Sequence, residues 1–149
     1  MSLDHEKFYS VAFRAAQKGL ESGGIPIGSC LVIDNKVCGI GINKRIQCDS
    51  VIKHAEMDCL ENAGRLRGND YRNSTLYTTL SPCMMCAGAI LFYRIKNVVI
   101  GENKNSVGEH ELLKSVGVNV TILQDTNTIN MMSEWISKNE NIWNEDCGN

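Results

Sequence analysis

The run Thr79-Leu80-Ser81-Pro82-Cys83-Met84-Met85-Cys86 holds the densest chemistry in the sequence. Ser81 and Pro82 have the composition of a helix start, a hydroxyl cap followed by a ring already set to helical φ. Cys83 and Cys86 are therefore expected in the first helical turn and on one face. The helix dipole and the unpaired N–H groups there favour thiolates, the form in which cysteine binds a metal. Two thiolates do not complete a site, and His54-Ala55-Glu56 supplies what is missing upstream: an imidazole as third ligand and a carboxylate beside it. Three ligands leave one tetrahedral position open for water, as a catalytic zinc requires. On a continuous helix His54 and Glu56 would point about 200° apart, so the two are expected at a helix start, where the chain can bring both to one point.

Other uses of Cys-x-x-Cys fit less well. A closed structural zinc site needs a fourth protein ligand, and Cys48, Cys59 and His110 fall in no second Cys-x-x-Cys or His-x-x-x-His pair. A redox dithiol belongs after the first strand of a βαβ unit and has no use for His-x-Glu.

The elements that must position these residues follow from periodicity. Phe8, Val11, Ala12, Ala15, Ala16 and Leu20 recur at helical spacing between Asp4 and Leu20. Gly23-Gly24 ends that helix, and Ile27–Ile33 and Val37–Ile42 flank Asp34-Asn35-Lys36 as a hairpin in which Cys30 and Cys38 are expected in the core. A polar loop from Asn43 to Lys53 leads to a helix from His54 to Gly64 with Met57, Leu60 and Ala63 inward. Leu76–Thr79 reads as a third strand, followed at once by the cysteine helix to about Tyr93, whose Ala87-Gly88-Ala89 surface suits a close neighbour. Val98–Ile100 is a strand buried on both faces, Glu109–Val116 a short helix, Val118–Leu123 a fifth strand and Thr126–Lys138 a last helix, with Trp143 to Asp146 in a tail. A hairpin followed by alternating helix and strand predicts an α/β fold with helices on both faces of a mixed sheet.

Length and composition bound the function. At 149 residues, 43% apolar and 21% charged, the chain suits one soluble domain with its own core. A net charge of −2 argues against a general nucleic-acid binder, and no apolar run is long enough to span a membrane. Seven cysteines with no leader-like opening point to a reducing cytoplasm rather than a disulfide scaffold.

Taken together, these residues resemble the cytidine-deaminase-like superfamily of zinc deaminases, and within it the fungal cytosine deaminases that act on the free base. The likeness runs from Gly23 to Asp146 through Gly23-Gly24-Ile25-Pro26-Ile27-Gly28, Asn43-x-Arg45, His54-Ala55-Glu56, Leu76 to Cys86, Gly101-Glu102-Asn103 and Trp143-x-Glu145-Asp146. The resemblance implies a three-layer αβα sandwich on a five-stranded mixed sheet, a homodimer, and one catalytic Zn2+ per chain. It implies a single deaminase domain over 1–149, with 139–149 as a C-terminal tail closing the active site. His54, Cys83 and Cys86 would be the zinc ligands and Glu56 the catalytic proton shuttle. Asn43 and the Ala55 backbone would hold the base edge, the Ser81 carbonyl would face its amino group, Asp146 would reach the ring from the tail, and Ile27 and Trp143 would wall the pocket. Ile46 and Ser106 stand where those fungal enzymes are aromatic, which widens the expected pocket. The implied reaction is cytosine to uracil plus ammonia. Alternatives are another small amino-heterocycle (isocytosine, guanine or an azine), a tRNA adenosine deaminase, and an inactive zinc-stabilised binding module.

Overall fold

The computed structural model describes residues 4–147. Helix α1 (His5–Glu21) is followed by strands β1 (Gly28–Ile33) and β2 (Lys36–Ile42), helices α2 (Ala55–Ala63) and α3 (Gly68–Arg72), and strand β3 (Ser74–Leu80). Then come α4 (Met84–Phe92), β4 (Asn97–Glu102), α5 (His110–Ser115), β5 (Asn119–Ile122), α6 (Thr126–Lys138) and α7 (Glu140–Asp146). The sheet order is β2-β1-β3-β4-β5; β1 is antiparallel to β2 and β3, whereas β3, β4 and β5 run parallel.

The period of two along the central strands builds three layers. Leu31, Leu76, Val98 and Ile100 point to one face, where they meet Cys59 of α2, Ala87 and Ile90 of α4 and Leu113 of α5. Cys30, Val32, Tyr77 and Val99 point to the other and meet Phe8, Tyr9 and Ala12 of α1. Each strand position thus serves one helical layer, giving the expected αβα sandwich on a mixed sheet. A third cluster, at one end of the sheet, joins Ile25, Ile27, Ala55 and Leu80 to Met132, Trp135 and Trp143 of α6 and α7.

Close backbone approach seats α2. A Cβ at Gly41 would collide with the Ala55 carbonyl and the Cys59 backbone, so glycine there lets the helix lie directly on β2. The Asp58 carboxylate, buried one turn along α2, accepts from the Ile42 amide at 3.0 Å and from Lys44 Nζ at 3.2 Å. The start of α2 is thereby locked to the end of β2.

Several sequence expectations are corrected. The hairpin turn is the two residues Asp34 and Asn35, both at positive φ, as a two-residue turn between twisted strands demands. Cys38 is only half-buried, because the β1–β2 register shifts between Leu31 and Val32 and leaves Cys38 outside the pairing of an edge strand. On α2, Ala55, Glu56, Asp58 and Cys59 are the buried residues, while Met57, Leu60 and Ala63 are half-buried. The helix α3 had no periodic signal in five residues that begin with glycine. The tail after residue 139 is helical as far as Asp146, and its last residues, 148–149, lie outside the described residues.

Candidate active site

Two helix N-termini meet beneath a cleft of about 630 Å³. His54 is the N-cap of α2 and Cys83 the N-cap of α4, both with extended backbone, and neither side chain caps its own helix. Each side chain is therefore free to point outward from the helix start, while Glu56 and Cys86 sit in the turns that follow. Helix α4 begins two residues later than Ser81 and Pro82 suggest. The Ser81 amide donates to the Glu102 carbonyl at 2.9 Å and the Pro82 carbonyl accepts from the Glu109 amide at 2.8 Å, so tertiary pairing prolongs the strand direction past β3. Ser81 consequently does not cap the helix; its hydroxyl is buried with no partner in the protein.

His54 Nδ1, Cys83 Sγ and Cys86 Sγ form a triangle with sides of 3.4, 3.7 and 3.7 Å. Bonds of about 2.0 Å to nitrogen and about 2.3 Å to sulfur at tetrahedral angles span about 3.5 Å between N and S and about 3.8 Å between two sulfurs. The donor set thus has the size as well as the chemistry for zinc, and among the described residues no other His, Cys, Asp or Glu joins this group. Cys59 is in the core, with its thiol directed to the Gly39 carbonyl, and His110 bonds the Val107 carbonyl and Glu111. A fourth position is left to a non-protein ligand.

Electrostatics agree with a site that wants a cation. Sharing a proton with Cys86 holds Cys83 down to about 4, while that sharing and burial push Cys86 far up. Burial lowers the His54 imidazole, but the Cys83 sulfur, Glu56 and Asp146 more than offset it and hold it above its ordinary value. Its other nitrogen, Nε2, lies 3.6 Å from Asp146 Oδ1, the arrangement that orients a ligating imidazole. Glu56 is 4% exposed, and burial raises its carboxyl to about 7 despite the attraction of His54.

Around this floor the cleft is lined by Ile27, Asn43, Ser81, Ser106, Trp143 and Asp146, all expected from sequence. Asn43 is fully buried; its Oδ1 accepts the Arg45 amide at 3.0 Å, which leaves Nδ2 without a protein partner. Ala55 is buried in the apolar cluster behind the cleft, and as the first residue of α2 its amide has no intrahelical acceptor. Like Ala55, Ile46 is absent from the cleft lining, and it is 41% exposed.

The wall also contains residues that sequence reasoning gave no part. Arg45 forms an ion pair with Asp146 at 3.1 Å; the Asn43-x-Arg45 spacing was its available signal. Gly108, at φ +62°, passes so close to Ser81 that a Cβ would strike its hydroxyl and carbonyl. Glu102, fully buried, accepts from the amides of Lys104 and Asn105 at 2.7 and 2.9 Å and from Asn105 Nδ2 at 2.8 Å, which shapes the turn that presents Ser106.

Comparison with known proteins agrees with this geometry. Residues 2–102 match the cytidine and deoxycytidylate deaminase zinc-binding region. The chain is 50% identical to a cytosine deaminase of Candida albicans over 149 residues, 99% of each protein. It is 41% identical to a tRNA-specific adenosine deaminase of Buchnera aphidicola over 112 residues, 74% of each. In structure it is similar to a guanine deaminase of Nitrosomonas europaea, with a TM-score of 0.73 and 16% identity over 92% of this chain and 86% of that one, a likeness of fold. The family model covers the N-terminal two-thirds of the chain, with His54, Cys83 and Cys86 inside it, and the relative matched over 99% of both proteins covers the remainder; the chain belongs to the cytidine and deoxycytidylate deaminase family of zinc-dependent hydrolases.

Proposed function

We propose that this deaminase acts on a free nucleobase, converting cytosine and water to uracil and ammonia, in a single domain whose segment from residue 139 closes the active site. The observation that carries this reading is α7, which brings Trp143 and Asp146 to the cleft above His54, Cys83 and Cys86. Identity to the Candida cytosine deaminase extends over 99% of the chain and so includes α6 and α7, whereas 74% of the chain matches the Buchnera tRNA-specific enzyme. Charge supports the same reading. Glu56, Glu109, Glu145 and Asp146 line the cleft with Arg45 as its one Lys or Arg, a surrounding that disfavours phosphate and hence RNA.

His54, Cys83 and Cys86 would hold the zinc. When bound, the metal supplies Lewis acidity that lets a water attack near neutral pH. The chain's own residues do the rest. Asn43 Nδ2 donates to the carbonyl edge of the base, and the Ser81 carbonyl and Asp146 accept from its amino group. Glu56 takes a proton from the attacking water, delivers it to the ring nitrogen, and later passes a proton to the departing amino group. Its burial suits this exchange, since the enclosed carboxyl is raised above its ordinary range and holds a proton more readily than an exposed one. Trp143 and Ile27 cover the base and exclude other water.

A second reading, turnover of a related amino-heterocycle, is favoured by the small Ser106 on the wall of a 630 Å³ cleft, which has room for more than one ring. A second copy of the chain would cover the groove between α2 and α4, lined by Ile52, Met57, Leu60, Ala89 and Tyr93, beside the exposed Met84 and Phe92. Gly88 faces open space there, as a homodimer contact needs. Seven free cysteines suit a reducing cytoplasm. The test is ammonia release from cytosine, isocytosine, guanine, cytidine and a tRNA anticodon stem-loop. Cytosine should exceed cytidine in kcat/KM by about 100-fold or more; robust turnover of cytidine or the stem-loop overturns the reading.

A further inference from the structure

We propose that Arg45 is a positioning residue for this reaction: from the loop that holds Asn43 it aims the Asp146 carboxylate of α7 at the base and at His54. The inference rests on the reading of Asp146 as a substrate contact given above. Asp146 has a side chain only 5% exposed, and a carboxylate so enclosed must find a partner or surrender its charge. Among the described residues the cationic group beside it is Arg45, with Nη1 at 3.1 Å, and His54 Nε2 lies 3.6 Å away; both face the same oxygen, Oδ1. Arg45 is itself 17% exposed and planar, so it fixes the direction of the carboxylate as a flexible surface lysine would not.

The other end of Arg45 is equally engaged. Its backbone amide donates to Asn43 Oδ1 at 3.0 Å and thereby turns the buried Nδ2 of Asn43 away as the free donor. The backbone of residue 45 thus meets the donor meant for the carbonyl edge of the base, while its guanidinium alone reaches, 101 residues away, the acceptor meant for the amino group. Trp143 packs in the apolar cluster with Trp135, ring centroids 6.4 Å apart, and this fixes where α7 lies. Packing is non-directional, however, and does not choose the rotamer of Asp146 three residues on.

A double-mutant cycle on the zinc-loaded full chain tests this, with kcat and KM for cytosine, zinc content and melting midpoint recorded for Arg45→Gln, Asp146→Asn and the pair. Arg45→Gln should lower kcat/KM by about 10- to 100-fold with zinc still stoichiometric. In the Asp146→Asn background the same substitution should cost less than about 3-fold, because its target is already gone. Arg45→Lys, which keeps charge but not the fork, should recover part of the loss, and it carries the same cycle if Arg45→Gln fails to load zinc. Full activity of Arg45→Gln, or an equal cost in both backgrounds, overturns the proposal alone. An Asp146→Asn enzyme as active as the parent overturns the assignment of Asp146 to the substrate and the proposal with it.

Discussion

His54 and Cys83 stand at the N-caps of helices whose next turns are buried against the sheet, whereas Ser106 and Asp146 reach the cleft from a turn and a seven-residue helix. The floor is held from behind by Gly41 lying close against the backbone of Ala55 and Cys59, and by the buried apolar side chains of Ala87, Ile90, Leu76 and Val98. The rim is held by a few polar contacts, Arg45 to Asp146 and Glu102 to the Asn105 turn, together with the apolar packing of Trp143 and Ile142. A site that must hold three ligands within tenths of an ångström needs the first kind of support. A cover that admits and releases a base needs the second, since contacts of that kind open locally at lower cost than a core.

Removing a ligand from the floor should have the largest effect. Cys83→Ala leaves His54 and Cys86 as two ligands, too few for a tetrahedral catalytic site. Zinc content by elemental analysis should fall from about one per chain to near zero, deamination should be undetectable, and the melting midpoint should drop by about 10 °C because metal binding is coupled to folding. Chelation of the parent protein should reproduce all three. Stoichiometric zinc in the variant would mean that the triangle is not the metal site.

Glu56→Gln divides the floor between structure and chemistry. The substitution keeps size and removes the proton carrier, so zinc and melting midpoint should hold while kcat falls by about a thousandfold or more. Loss of zinc instead would make Glu56 a ligand, and retention of most activity would move the proton work elsewhere.

The same division explains what could be read from the residues alone. The metal triangle, Glu56 and the αβα layers were legible because they rest on local spacing: Cys83 and Cys86 in one turn, His54 before Glu56, and the alternation of Leu31 and Val32 or Leu76 and Tyr77. The exact start of α4 was not, because it depends on Ser81 and Pro82 pairing with Glu102 and Glu109, partners distant in sequence. Helix α7 was not legible either. Its polar start, Asn139 to Asn141, carries no periodicity, and the helix is stabilised by Trp143 meeting Trp135. Ile46 and Ser106 looked alike in sequence as small-for-aromatic positions. Ser106 reaches the cleft because Glu102 bends its turn inward, while Ile46 lies on a loop whose inward contacts are made by Asn43 and Arg45.

Ser106 should therefore give the smallest effect, on specificity rather than on chemistry. It is half-buried on the cleft wall, between the Glu102–Asn105 turn and Gly108, and distant in sequence from every metal ligand. Ser106→Phe adds a ring that can stack on a planar base, a contact worth about 0.5–1.5 kcal/mol. For cytosine that corresponds to a KM lower by about 2- to 10-fold, with kcat within about 2-fold because Glu56 and the ligands are undisturbed. A two-ring base loses the space that the serine leaves, so the cytosine-to-guanine ratio of kcat/KM should rise by more than cytosine alone gains. Competition between the two bases at one enzyme concentration measures that ratio directly. An unchanged ratio would mean that position 106 faces solvent in the closed state, and that the size of the pocket is set by Trp143 and Ile27 alone.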